Sequence, residues 1–201
     1  MKQKKSNPQG KGLSTVLDAL IDSQVKASLP PKDINQVSSE LFTSLFVLNT
    51  NFEFRPVAGN SYWLYHTNDI FKLFSTSPSD WACGQPGIFI GECVLQNDVT
   101  WTIQINEEVS QQEWFIRYME KQKNYLQKSL GDSNTLEEAM PYYVKKMSYY
   151  SRLLAYGLGT SLNISMQKSG INTLHYDQAK TLLNFDPKQS QKRILNYTVL
   201  S

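Results

Sequence analysis

The chain has 201 residues, 40% hydrophobic and 12% aromatic, and its 20 basic and 18 acidic side chains leave a formal charge of +2. This is an ordinary globular composition, long enough to bury a core without a metal or disulfide staple. Lys2, Lys4, Lys5 and Lys11 supply four of the positive charges, so about −2 remains for the rest, and the basicity belongs to a tail rather than to a nucleic-acid-binding body.

Residues 1–11 read as a disordered basic tail, with Pro8, Gly10 and Gly12 breaking any helix. Ser14, Thr15 and Asp18 interrupt the apolar run that follows, so no signal peptide is expected. The spacing of Leu13, Val16, Leu17, Leu20 and Ile21 predicts a first helix, and Asp33 caps a second with a stripe of Ile34, Val37, Leu41, Leu45 and Leu48. The period then changes to two. Strands are predicted at Phe52–Arg55, Tyr62–His66, Ile70–Ser75, Phe89–Leu95 and Val99–Ile105, with Thr67-Asn68-Asp69 reversing the chain. Ser77-Pro78-Ser79-Asp80 reads as one helical turn. Ser110 with Glu113 and Thr135 with Glu138 fit capping boxes for two further helices. The first would turn Trp114, Ile116, Met119 and Leu126 inward, and the second would run from Thr135 to about Met166. A short helix at Tyr176–Leu183 follows.

The fold class is therefore α+β: a small antiparallel sheet over about residues 52–106, packed against N-terminal and C-terminal helices. Residues 12–185 form a single domain, and 186–201 are a C-terminal tail of uncertain structure. No apolar run is long enough to span a membrane, and two cysteines are too few for a disulfide framework. The expected compartment is cytoplasmic, with no membrane partner.

Chemical constellations are sparse. Glu92 and Asp98 could form an acid–base pair, but Gln96-Asn97-Asp98 sits where two strands must be joined, and Glu92 has the strand parity opposite to Cys93 and Leu95. Cys83 could be a nucleophile, with only His66 and His175 to serve as its base. Cys83, Cys93, His66 and His175 match a zinc ligand count without a recognisable spacing. Gly157 and Gly159 lack the third glycine and the preceding strand of a dinucleotide loop; Ala155 and Gly159 read better as a close-packing stripe. Tyr142, Tyr149 and Tyr156 recur every seven residues beside Lys145, Lys146 and Arg152. That pattern suits a partner interface, a homodimer through the helix, or stacking against nucleic acid.

The segments FEFRPVAGNSYWLYH, LFSTSPSDW and FIGECVLQNDVTWT resemble the uncharacterised family called domain of unknown function 2452, over about residues 52–102. The matching positions are Phe54, Pro56, Gly59, Tyr62, Leu64, Tyr65, Pro78, Trp81, Phe89, Gly91, Leu95, Asp98, Thr100 and Trp101. Ser79 stands where the pattern favours an acid, and Ala82 where it favours glycine. The flanking helices are similar to a longer bacterial form of the family. The resemblance implies a shared fold and carries no activity, cofactor or catalytic residue.

The functional expectation is a non-enzymatic protein-interaction or regulatory module with no cofactor and no metal. Its candidate contact residues are Trp63, Tyr65, His66, Trp81, Tyr142, Tyr149 and Tyr156. The alternatives are nucleic-acid binding through the basic tail and the tyrosine helix, and a small-molecule sensor or enzyme with a pocket near His66, Glu92 or Asp98.

Overall fold

The computed structural model describes residues 29–82, 84–144 and 146–183, and the backbone of 197–200. The predicted tail at 1–11, the helix at Leu13–Ile21, Cys83, Lys145 and most of 186–201 lie outside the described residues.

Helix α1 (Ile34–Leu48) begins as the sequence predicts. Asp33 accepts from the Gln36 amide while the Gln36 side chain accepts from the Asp33 amide, a reciprocal cap. Of its predicted stripe Ile34, Val37, Leu41 and Leu48 are buried and Leu45 is partly buried, and Phe46 and Val47 beside it are buried as well. Strands β1 (Ser61–Thr67), β2 (Ile70–Phe74), β3 (Ile88–Leu95) and β4 (Trp101–Asn106) form an antiparallel sheet in the order β2-β1-β3-β4. Helices α2 (Glu107–Ser110), α3 (Glu113–Asp132), α4 (Tyr149–Ser169) and α5 (Tyr176–Leu183) follow. The fold class is α+β, as the change of hydrophobic period predicts. A further strand, β5 (Tyr197–Leu200), pairs in parallel with β4.

Strand parity decides which face each side chain joins. Tyr62 and Leu64 of β1, Phe71 and Leu73 of β2, Ile90, Cys93 and Leu95 of β3, and Trp101, Ile103 and Ile105 of β4 are buried in one cluster with α1 and α4. The pairing of β1 with β3 slips between Leu64 and Tyr65: Leu64 faces Gly91, but Tyr65 faces Phe89. This bulge puts Ile90 in the core and Phe89 with Tyr65 on the outer face. Gly91 is required there, because a Cβ would come within 2.2 Å of the Gln104 carbonyl oxygen.

Several local expectations change. Phe52–Arg55 is not a strand; the chain makes a single parallel bridge between Asn51 and Lys72, and Phe52 packs on the core. Val99 is not part of β4 but sits in the β3–β4 turn with φ 66°, a left-handed backbone that strains a β-branched residue. Asn106, not Ser110, caps the helix after β4, and α3 starts after Gln112 without a side-chain cap. Ile116 is exposed, and the inward residues of α3 are Phe115 and Leu130, with Trp114, Met119 and Leu126 partly buried. The second capping box is half formed: Thr135 Oγ1 accepts from the Glu138 amide at 3.3 Å, but a run of turns follows. The long helix starts only at Tyr149, capped by Ser148. Pro141, which lacks a donor and clashes with the preceding turn, lies in the stretch that stays unwound.

Candidate functional site

Tyr65 and His66 are neighbours on β1, so they lie on opposite faces of the sheet. On the outer face Tyr65 is fully buried, with ring centroids 5.7 Å from Phe74, 6.2 Å from Trp81 and 5.4 Å from Phe89. The loop over residues 75–87 makes this cover. It carries Trp81 after the turn Pro78–Asp80 and returns against β1, where Thr67 Oγ1 donates to the Pro86 carbonyl at 2.6 Å. Burial raises the Tyr65 phenol pKa, and the indole N–H of Trp81 opposes the rise only in part. The two polar atoms are buried together without a well-aligned hydrogen bond. Tyr65 is therefore not a surface aromatic, and Trp81 is half-buried against it. Trp63, on the same face, pairs across the sheet with Phe74 and Glu92.

On the inner face the arrangement is open. The His66 ring stacks on Trp114 at 4.8 Å with 27° between planes, and lies 4.9 Å from Phe71. Phe71 in turn contacts Tyr118 at 5.0 Å and Phe46 at 5.3 Å. These rings, with Asn49, Thr50, Asp69 and Ile70, line a cleft of about 420 Å³. Four elements build it. Strand β1 supplies His66 and the β1–β2 turn Asp69, with Asn68 and Asp69 both in the left-handed region. Strand β2 gives Ile70 and Phe71, and the C-terminal end of α1 gives Phe46, Asn49 and Thr50. The first turns of α3 supply Trp114 and Tyr118, four residues apart and so on one helical face. The Trp114 indole donates to the Gln112 side chain. Burial raises the Tyr118 phenol pKa.

The other sequence candidates separate from this cleft. Tyr142 is not on a helix: it lies in the preceding loop, where its ring packs against Gly159 and lies 6.0 Å from Tyr156. A Cβ on Gly159 would sit 3.3 Å from that ring, so Gly159 makes room for a side chain where the sequence suggested the approach of a second backbone. Burial, the Glu137 charge and Tyr156 push the Tyr142 phenol up to about 12, against a hydrogen bond with Asn163. Tyr149 and Tyr156 on α4 are exposed, at 61% and 44%.

Cys93 is wholly buried, and burial with the nearby Glu92 charge pushes its thiol pKa up, away from nucleophilic use. His175 bonds the Gly131 carbonyl at 3.0 Å and meets the Asp177 amide, a helix-start role. Among the described residues no group of three or more His, Cys, Asp or Glu side chains could hold a metal ion.

Asp98 does shape the β3–β4 turn, accepting from the Thr100 hydroxyl at 2.6 Å and its amide at 3.1 Å. Its other oxygen takes a role no sequence pattern suggested. Lys32, only 5% exposed, bridges Asp98 at 2.8 Å and Glu40 at 2.6 Å, tying the start of α1 to the turn. Burial would lower the Lys32 pKa, but both hydrogen bonds and both carboxylate charges outweigh it and raise it. Burial would raise Asp98, yet the Lys32 and Thr100 hydrogen bonds bring it down. Glu40 has only Lys32, and burial dominates and raises it. Lys168 Nζ and Ser169 Oγ, at the end of α4, donate to the carbonyls of Leu29 and Lys32 and hold the same segment.

Of the other rings of the cleft only Trp114 stood out in the sequence, as an inward residue of its helix, and nothing singled out Tyr118, Phe46 or Phe71. The signal that could have separated Trp114 and Tyr118 is their i, i+4 spacing, which puts two amphipathic aromatics on one helical face. Among the described residues no helix is long and apolar enough to cross a membrane. A family model described as "Protein of unknown function (DUF2452)" matches residues 20–124, and the chain belongs to that family. The match spans α1, the four-stranded antiparallel sheet and the start of α3, and so every wall of the cleft. No curated protein and no solved structure matches the chain.

Proposed function

We propose that this DUF2452 protein is a non-enzymatic regulatory binding module that takes its ligand in the aromatic cleft at the His66 end of the sheet. The observation that carries the reading is a cleft of about 420 Å³ lined by five aromatic or imidazole rings, with polar Asn49, Asp69 and Tyr118. A mostly apolar concavity with a few polar groups is the usual form of a small-ligand site. Binding is favoured over catalysis by the neighbours of the histidines. His66 lies against aromatic rings, His175 serves the start of α5, and the Cys93 thiol is buried.

A fragment screen read by two-dimensional NMR tests the reading. Hits are expected to shift the amides of Asn49, Asp69 and Ile70 and the Trp114 indole, and to be lost in Trp114→Ala. Hits confined to Tyr149–Tyr156, or none, would remove it. The second reading, a protein contact through α4, draws on the exposure of Tyr149 and Tyr156. It requires a self-association or partner complex that Tyr149→Ser abolishes, measured by sedimentation.

A further inference from the structure

We infer that the group seated in this cleft is an alkylated ammonium, the head of a small organic cation; this rests on the cleft being the binding site. Three features of different origin give the cleft a negative potential. The first is its rings: Tyr118, Phe71, Phe46 and Trp114, one face of which is taken by His66, line it, and the electron-rich face of such a ring attracts a cation within about 6 Å of its centre. The second is the end of α1. Asn49 caps this 15-residue helix, Thr50 follows, both line the cleft, and the last turn carries no basic side chain. The partial negative charge of the helix C-terminus is therefore not offset by its own helix. The third is the Asp69 carboxylate, exposed at the rim on the β1–β2 turn. Among the described lining residues the only basic side chain is the His66 imidazole, with no lysine or arginine, and Lys72 of β2 has the strand parity opposite to Phe71.

The three features select a charge sign, and the apolar walls select its substituents. An anion would meet a carboxylate and a helix C-terminus. A bare ammonium would lose strong hydration on entering an aromatic cleft, whereas an alkylated one is already weakly hydrated and buries its methyl groups. The cleft volume falls in the range of small-molecule sites, large enough for such a head group with a short tail.

The test titrates the full chain with choline and, separately, with 3,3-dimethyl-1-butanol, its neutral isostere. A trimethyl-lysine peptide forms a third arm, and the Trp114 indole and Asp69 amide signals are followed by NMR. Choline is expected to bind at least about fivefold more tightly than the alcohol. Asp69→Asn should lower choline affinity about threefold and leave the alcohol unchanged, because asparagine also takes the left-handed backbone this turn needs. Equal binding of choline and the alcohol at the cleft would overturn the cation assignment and leave the ligand-binding reading standing. Tighter binding of the peptide than of choline would overturn the small-molecule source. Fragment hits at the cleft with no response to choline would also overturn the proposal.

Discussion

Tyr65 and His66 are consecutive residues of one strand, each at the centre of an aromatic cluster, and the two clusters end differently. Around Tyr65, the loop over 75–87 folds back and encloses the rings of Phe74, Trp81 and Phe89. Around His66, the ends of α1 and α3 border Phe71, Trp114 and Tyr118 and leave a cleft between them. Aromatic content is similar on both faces, so it does not distinguish packing from binding. Among the described residues, what distinguishes them is that a covering segment crosses the rings around Tyr65 and none crosses those around His66.

The largest expected effect breaks this contrast directly. Tyr65→Ala removes a fully enclosed ring and should cost about 3–5 kcal/mol in urea unfolding, since large-to-small changes leave a cavity. Trp114→Ala removes a larger side chain that is only partly buried and should cost less, about 1–2 kcal/mol. Comparable losses would mean that the His66 cluster is core as well, and the case for a site there would fall.

The sequence carried the periodic parts of this fold well. The stripe of α1, the alternation of Trp101, Ile103 and Ile105, and the opposite parity of Glu92 and Cys93 each follow from one side chain's spacing to the next. Several of its errors came where a non-local contact decides. Phe52 and Phe54 alternate like a strand, but the bridge at Asn51 reaches only Lys72, and the rings go to the core and Tyr62 instead. Tyr142 keeps the seven-residue spacing of Tyr149 and Tyr156, yet the Pro141 region does not close a helix and its ring turns back onto Gly159. The site was legible in one residue, His66. Its other walls come from α1 and α3, which are about 20 and 50 residues away, and no local pattern brings them together. The Lys32 bridge to Asp98 was hidden for the same reason.

That bridge gives the next prediction, because it holds the helix that forms one wall of the cleft. Lys32→Met leaves Glu40 and Asp98 without their shared cation and should cost about 2–4 kcal/mol, discounted for the partial exposure of both carboxylates. Hydrogen exchange should rise around His66 and Trp114 before it rises around Tyr65, whose cover does not depend on α1. The pH dependence has a defined sign. The folded pKa of Lys32 is raised above its ordinary 10.5, so its contribution is complete below 10.5 and is lost as pH climbs through the higher folded value. Asp98 is lowered from 3.8, so its contribution holds above 3.8 and is lost as pH falls through the lower folded value. Glu40 is raised from 4.5 and works the other way, favouring the fold below 4.5 and losing that contribution as pH rises through its folded value. Asp98→Asn should therefore flatten the acid limb of a stability curve and Lys32→Met the alkaline limb. Unchanged limbs would show that the three charges are not coupled to folding.

The smallest effect lies within β1 itself and sharpens what enclosure means for a polar atom. The hydroxyl of Tyr62 accepts from the Val57 amide at 2.7 Å, whereas that of Tyr65 is buried without a well-aligned partner. Deleting a bonded hydroxyl removes the hydrogen-bond partner of the Val57 amide, so Tyr62→Phe should cost about 1 kcal/mol; deleting an orphaned one removes none, so Tyr65→Phe should be neutral or stabilise by up to about 1 kcal/mol. The two variants differ from wild type by one oxygen each, and their rings stay in place, so packing changes largely cancel between them. If Tyr65→Phe proves as costly as Tyr62→Phe, the phenol is bonded to the Trp81 indole in solution, and the outer cluster is held by a polar contact as well as by its rings. The loop over 75–87 would then be fixed in register by Trp81, and Trp81→Phe should show the same loss, non-additive with Tyr65→Phe in a double-mutant cycle.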